Sequence, residues 1–151
     1  MQSYLPDNYD RKILAALQED ARMSHAEIGR RVHLSQPAVS ERIRRLEQHG
    51  VILGYQARVD PTKLGYPITA VIRVASQRGR PYEPYVREKP EVIDCYTVTG
   101  EDCAVLKVLA QDIPHLQQLI EDLNQFGNTS TAIVLSTHVA AKPILPPERD
   151  V

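Results

Sequence analysis

Three observations predict an α+β fold built from two regions. Apolar residues between 10 and 49 recur at helical spacing and are interrupted by two capping signals. Beyond Pro61 the period changes to β-branched runs that alternate with amphipathic stretches. The single Phe and most of the 11 prolines fall in that second region, so composition shifts where the period does.

Each element has a local reason. Asp10 can cap a first helix to Asp20, with Ile13, Leu14 and Leu17 on one stripe. Ser24 and Glu27 form a capping-box pattern that opens a short helix from His25 to Val32, carrying Ile28 and Val32 inward. Ser35, with Pro37 in the first turn, opens a third helix from Gln36 to His49 that stops at Gly50. Its Val39, Ile43 and Leu46 face inward, while Pro37, Ser40, Glu41, Arg44 and Arg45 project from the other side. Val51 to Val59 then reads as a short strand, up to the Asp60-Pro61 turn.

The second region reads strand Ile68 to Ala75, helix Pro81 to Lys89, strand Val92 to Thr99, strand Asp102 to Ala110, a helix bearing Ile113, Leu116, Leu119, Ile120, Leu123 and Phe126, and strand Thr129 to His138. This β-α-β-β-α-β order is the split βαβ arrangement, a four-stranded antiparallel sheet with two helices on one face. A two-residue Gly100-Glu101 loop sets Val98 opposite Cys103 and puts Cys95 and Cys103 on opposite faces. The expected organisation is 1–50 for the helices, 51–66 for a strand and hinge linker, 67–139 for the sheet domain, and 140–151 for a Pro-rich tail that is extended or disordered.

Composition excludes several functions. Against 19 acids, 18 basic residues leave a net charge of −1, which rules out nucleic-acid binding through bulk charge. Yet residues 22–45 hold six arginines, Arg22, Arg30, Arg31, Arg42, Arg44 and Arg45, beside only Glu27 and Glu41. No apolar run is long enough to span a bilayer and the first ten residues do not read as a signal peptide, so the expected location is the cytoplasm, with no membrane partner. Cys95 and Cys103 lack metal-ligand spacing, and the five histidines are scattered, so no metal site is expected. No nucleophilic triad, phosphate loop or paired-carboxylate site is present, so the chain does not read as an enzyme and needs no cofactor.

The tight Val32-His33-Leu34-Ser35 connection makes a helix-turn-helix candidate. Ser35, Gln36 and Ser40 offer hydrogen-bonding groups near the start of the third helix. Arg30, Arg31, Arg42, Arg44 and Arg45 can reach phosphates or guanine, and Glu41 can read cytosine. The same pattern also fits a solvated face of a small helical bundle.

Leu34-Ser35-Gln36-Pro37-Ala38-Val39-Ser40-Glu41-Arg42-Ile43-Arg44-Arg45-Leu46-Glu47, then Gly50-Val51-Ile52-Leu53-Gly54-Tyr55 and Asp60-Pro61-Thr62-Lys63-Leu64-Gly65, resemble the leucine-responsive and asparagine-regulator (Lrp/AsnC, feast/famine) transcription factors over residues 5–138. The resemblance implies a winged helix-turn-helix joined by a hinge to a ferredoxin-like αβ-sandwich that dimerises through its sheet and assembles further, often to octamers. It also implies promoter or operator DNA as partner and an amino-acid effector bound between dimers. The recognition role then falls on Ser35 to Arg45, Pro37 included, and the effector role on Thr99, Gly100, Glu101, Asp102 and Cys103 facing Thr129, Ser130 and Thr131.

The residue types at the effector loop suit a zwitterion: Gly100 admits close backbone approach, an acid can hold an ammonium, and the hydroxyls add neutral hydrogen bonds. An ordinary hairpin turn with its acids in water fits the loop equally. The Gly100-Glu101-Asp102-Cys103-Ala104 run lacks the aromatic residues common among amino-acid responders, and so does not name a ligand. Two other classes stay open, a nucleoid-like architectural DNA-binding protein without effector and a small-molecule-binding metabolic protein built on the second region.

Overall fold

The computed structural model describes residues 4–76, 81–101 and 103–147. Two units emerge: 1–58 together with 139–151, and 59–138.

The first unit is built on α1 (Asn8–Glu19), α2 (His25–Val32) and α3 (Gln36–Gln48). Helix α1 begins two residues before the expected start because Asp7, not Asp10, is the cap. The Asp7 carboxylate accepts the Asp10 N–H at 2.9 Å, and Asp10 accepts the Asp7 N–H at 3.1 Å, an Asp-x-x-Asp form of the capping box. Helix α2 has the expected Ser24–Glu27 box, and Ser35 caps α3.

Ile13, Ile28, Val32, Val39, Ile43 and Leu46 fill the core among the three helices. The connection from α2 to α3 is tight enough that a Cβ on Gly29 would lie 2.5 Å from the Leu34 carbonyl oxygen. His33 turns the chain there with a positive φ of 59°.

The strand expected over Val51 to Val59 does not form, and among the described residues the unit has no wing strand. A strand needs a row of backbone partners, and no described segment of this unit supplies one. Leu53, 94% exposed, and Val59, 61% exposed, lie along this unpaired stretch. The tail through Pro147 is extended and packs with α1, where Arg11 and Gln18 bond its backbone.

The second unit opens with a 3₁₀ turn, Pro61–Leu64, followed by β1 (Ile68–Ser76), α4 (Glu83–Glu88), β2 (Val92–Thr97), β3 (Ala104–Ala110), α5 (Ile113–Asn124) and β4 (Gly127–Ile133). All pairings are antiparallel, in the order β2-β3-β1-β4. Helix α4 is shorter than expected, because Lys89 precedes Pro90 and is extended, ψ 112°. Strand β4 starts and ends earlier than expected: Ala70 pairs with Ile133, and beyond the Val134 N–H to Thr69 carbonyl bond β1 has almost no length left to pair.

The hairpin has the expected register, with Thr97 opposite Ala104 and Val98 bonded to Cys103. Ala70, Ile72, Val74, Leu106 and Val108 point into a core closed by Val86, Leu116, Leu123 and Phe126. Both cysteines are free and both pack against this core, so the opposite-face expectation fails. Cys103 precedes the first laddered residue of β3, and its thiol turns to the Val74 carbonyl at 3.1 Å.

Candidate nucleic-acid interface and effector loop

Helix α3 separates its two roles by face. Val39, Ile43 and Leu46 are buried, whereas Ser35, Gln36, Pro37, Glu41 and Arg44 are exposed. Ser35 is half committed, since its hydroxyl accepts the Ala38 N–H at 3.4 Å. Ser40 is half-buried and its Oγ lies 2.7 Å from Nδ1 of His25 at the start of α2. That bond ties the two helices near the helix start that faces outward, and His25 is a contributor that sequence spacing does not reveal.

The arginines divide into three groups. Arg42 is half-buried, with one guanidinium nitrogen 2.8 Å from Asp7 and 2.8 Å from Asp10 and its carbon 5.2 Å above the Tyr9 ring. Asp10 is 1% exposed and also accepts the Tyr4 hydroxyl at 2.7 Å. Burial and that bond push Tyr4 up to about 12. Arg42 is therefore turned toward α1 as an internal counter-ion, away from the face carrying Ser35 and Arg44. The 100° helical step anticipates this, because residue 42 lies roughly 70° from the centre of the buried stripe.

A second group is paired at the surface. Arg44 grips Glu41 through two bonds of 2.9 and 2.6 Å, and Arg31 meets Glu19 at 3.0 Å. The hydrogen bond from Arg44 lowers the Glu41 pKa and raises that of Arg44. Arg30 and Arg45 form the third group. Both are exposed and, among the described residues, have no carboxylate partner; Arg45 lies 5.4 Å above the Tyr4 ring. Of the six arginines counted from sequence, Arg31, Arg42 and Arg44 are thus paired with carboxylates, and a phosphate must compete with Glu41 for Arg44.

In the second unit, Thr99, Gly100 and Glu101 are exposed at the β2–β3 turn, and Asp102 lies outside the described residues. Gly100 has φ 116°, a conformation that favours glycine, and open space where a Cβ would be. Cys103 belongs to the sheet more than to the loop, since its N–H and thiol both bond the Val74 carbonyl.

Thr129, Ser130 and Thr131 lie on β4, separated from β3 by β1. At the usual strand spacing that is roughly 10 Å across the sheet, so one chain does not bring the two halves of the expected site together. The three hydroxyl residues also split by face. Thr129 and Thr131 register with the buried Val74 and Ile72, and Ser130 with the exposed Arg73. The Thr129 hydroxyl already donates to Asn124 at 2.8 Å.

The sheet face away from the core carries half-buried Val71, Ala75, Val105 and Leu109 and exposed Tyr96, with Arg73 and Lys107 between them. Helices α4 and α5 pack on the other face.

Family comparisons agree with both units. An AsnC-type helix-turn-helix domain matches residues 7–47 and an Lrp/AsnC ligand binding domain matches residues 69–144. The transcriptional regulator LrpC of Bacillus subtilis is 33% identical over 133 residues, covering 86% of this chain and 92% of that protein. Its solved structure superposes with a TM-score of 0.86 at 30% identity, over 92% of this chain and 100% of that one. The feast or famine regulatory protein of M. tuberculosis complexed with L-methionine matches with a TM-score of 0.83 at 32% identity, over 93% of this chain and 99% of that one. With both regions matched in order, the chain belongs to the Lrp/AsnC family of transcriptional regulators, and it is not an enzyme.

Proposed function

We propose that α3 reads base edges in the major groove of promoter DNA through Ser35, Gln36, Pro37, Ser40, Glu41 and Arg44, while Arg30, Arg31 and Arg45 hold flanking phosphates. The observation that carries this reading is the sided helix: an exposed, capped N-terminal half over a fully buried Val39 and Leu46. Arg42 serves the same function indirectly, by fixing α3 against α1. A DNA-reading role places the chain in the cytoplasm.

A homodimer formed through the apolar open face of the sheet presents two α3 helices to successive groove faces, so the operator is a degenerate palindrome. Dimers then assemble further, and a small amino acid or related molecule binds where the Thr99–Cys103 loop of one copy meets Thr129, Ser130 and Thr131 of another. The separation of these halves within one chain supports a site shared between copies, and the L-methionine bound to the M. tuberculosis protein supports the ligand class.

The test of the reading face is Arg44→Ala in a gel-shift titration on duplex enriched by the wild-type protein from a random pool. Weaker binding with an unchanged assembly is expected, and an unchanged titration overturns the face. For the effector, a thermal-shift screen of amino acids and their keto acids should find a stabilising compound, and no stabilisation by any of them removes the effector.

A further inference from the structure

The end of the described chain packs with the helices, not with the sheet it follows. Its attachment runs through the backbone. The Gln18 side-chain amide accepts the Ile144 N–H at 2.8 Å and donates to the Ile144 carbonyl at 2.8 Å, while Arg11 donates to the Pro146 carbonyl at 3.0 Å. An amide that satisfies both backbone groups of one residue recognises an extended chain and not a side chain. Pro143, Pro146 and Pro147 favour that extended form and reduce the entropy lost on docking.

Apolar burial adds little. Ile144 is 82% exposed, and a cavity of about 780 Å³ remains between the tail, α1 and residues 51–58, bordered by Leu14, Leu17, Ile52 and Leu145. The tail spans space instead of filling a groove, which makes it an element of low local stability.

Connectivity gives the attachment a consequence. Val134 is bonded to Thr69 of the sheet and Ile144 is bonded to α1, with only residues 135–143 between them. On the other side, residues 53–60 join Ile52, bonded to Leu46, to the 3₁₀ turn at Pro61. Docked, the tail gives the helical unit a second tether, and each tether reaches no more than about 36 Å. The strand that runs into the tail is β4, which carries Thr129, Ser130 and Thr131.

We propose that Val139–Pro147 is a releasable strap that docks on Gln18 and Arg11 of α1 and restrains the DNA-reading unit, so that its release weakens binding to DNA engaged by both units of a dimer. The proposal rests on the α3 reading above. The strap bonds none of Ser35, Gln36, Pro37, Ser40, Glu41 or Arg44, so it acts by restraint and not by covering the reading face.

Gln18→Glu in the full chain is the sharpest test. Gln18 is exposed, so the core is untouched, and the change puts a carboxylate oxygen against the Ile144 carbonyl. Hydrogen–deuterium exchange should show the Ile144 amide protected in wild type and unprotected in Gln18→Glu and Gln18→Ala. Affinity for the wild-type-enriched duplex should fall by about threefold to tenfold in both variants, the scale set by loss of preorganisation. The salt slope should not change, because no phosphate contact is lost.

An Ile144 amide that exchanges freely in wild type overturns the docking. A protected amide with unchanged affinity in both variants overturns the restraint while leaving the α3 reading intact. Failure of wild type to bind any duplex overturns the α3 reading itself, and with it the role of the strap.

Discussion

Arg42 and Arg44 are two residues apart and do opposite work. Replacing Arg42 with Ala leaves the buried Asp10 carboxylate its bonds from Tyr4 and the Asp7 N–H but no counter-ion, and because the guanidinium is partly exposed the expected loss is about 2–3 kcal/mol in urea unfolding. Arg44→Ala should leave that midpoint unchanged and shrink the salt dependence of DNA binding by about one counterion. Glu41→Gln should act in the reverse direction: with Arg44 released from its carboxylate, affinity for random duplex at low salt should rise several-fold.

Acid stability belongs to the same scale. Burial acts to raise the Asp7 pKa, but hydrogen bonds from the Asp10 N–H and from Arg42 outweigh it, and the net shift is downward from 3.8. A depressed carboxylate stabilises the fold above its unfolded value and loses that contribution as pH falls through the folded one. Acid unfolding of the helical unit should therefore steepen below about pH 4. Asp7→Asn should flatten that dependence, and a profile identical to wild type would show that Asp7 carries no such linkage.

Among the elements, the α2 to α3 turn leaves no room for a side chain at Gly29. Gly29→Ala raises helix propensity yet sets a methyl 2.5 Å from a backbone oxygen, so stability should fall by about 1–3 kcal/mol, read as the denaturation midpoint. A glycine inside an otherwise helical pattern was the available sign of that close approach. Caps Ser24 and Ser35 and the inward stripes were legible because they depend on residues three or four apart. The Asp7 cap was less so, since Asp7 and Asp10 are equally good caps and only the Tyr4 and Arg42 partners bury Asp10.

The Val51 to Val59 stretch shows the opposite case. Its alternation is real, but a strand forms only where a second backbone is within reach. The β4 boundary follows the same rule, set by the length of β1 and not by the Thr and Val content of β4 itself.

For the whole molecule, the proposed assembly through the open sheet face can be tested with one charge. Leu109→Asp sets a charge on the same sheet face as Val71, Val105 and Tyr96 and should convert the proposed dimers to monomers in light scattering, without loss of the sheet's far-UV signal. A dimer that survives the charge would move the interface elsewhere.

Local spacing determined the helices, the order of strands, the hairpin register and the family, because each is encoded by residues near one another in sequence. Tertiary structure alone decided which arginines remain available. Charge counted along the chain knows nothing of Asp7 and Asp10 folding back onto α3, whereas in space those carboxylates hold Arg42. It also decided that Thr129 and Thr131 register with the core-facing Val74 and Ile72 while Ser130 registers with Arg73, and that the tail belongs to the helices. Those outcomes depend on pairings between residues far apart in sequence, up to the 126 positions that separate Gln18 from Ile144.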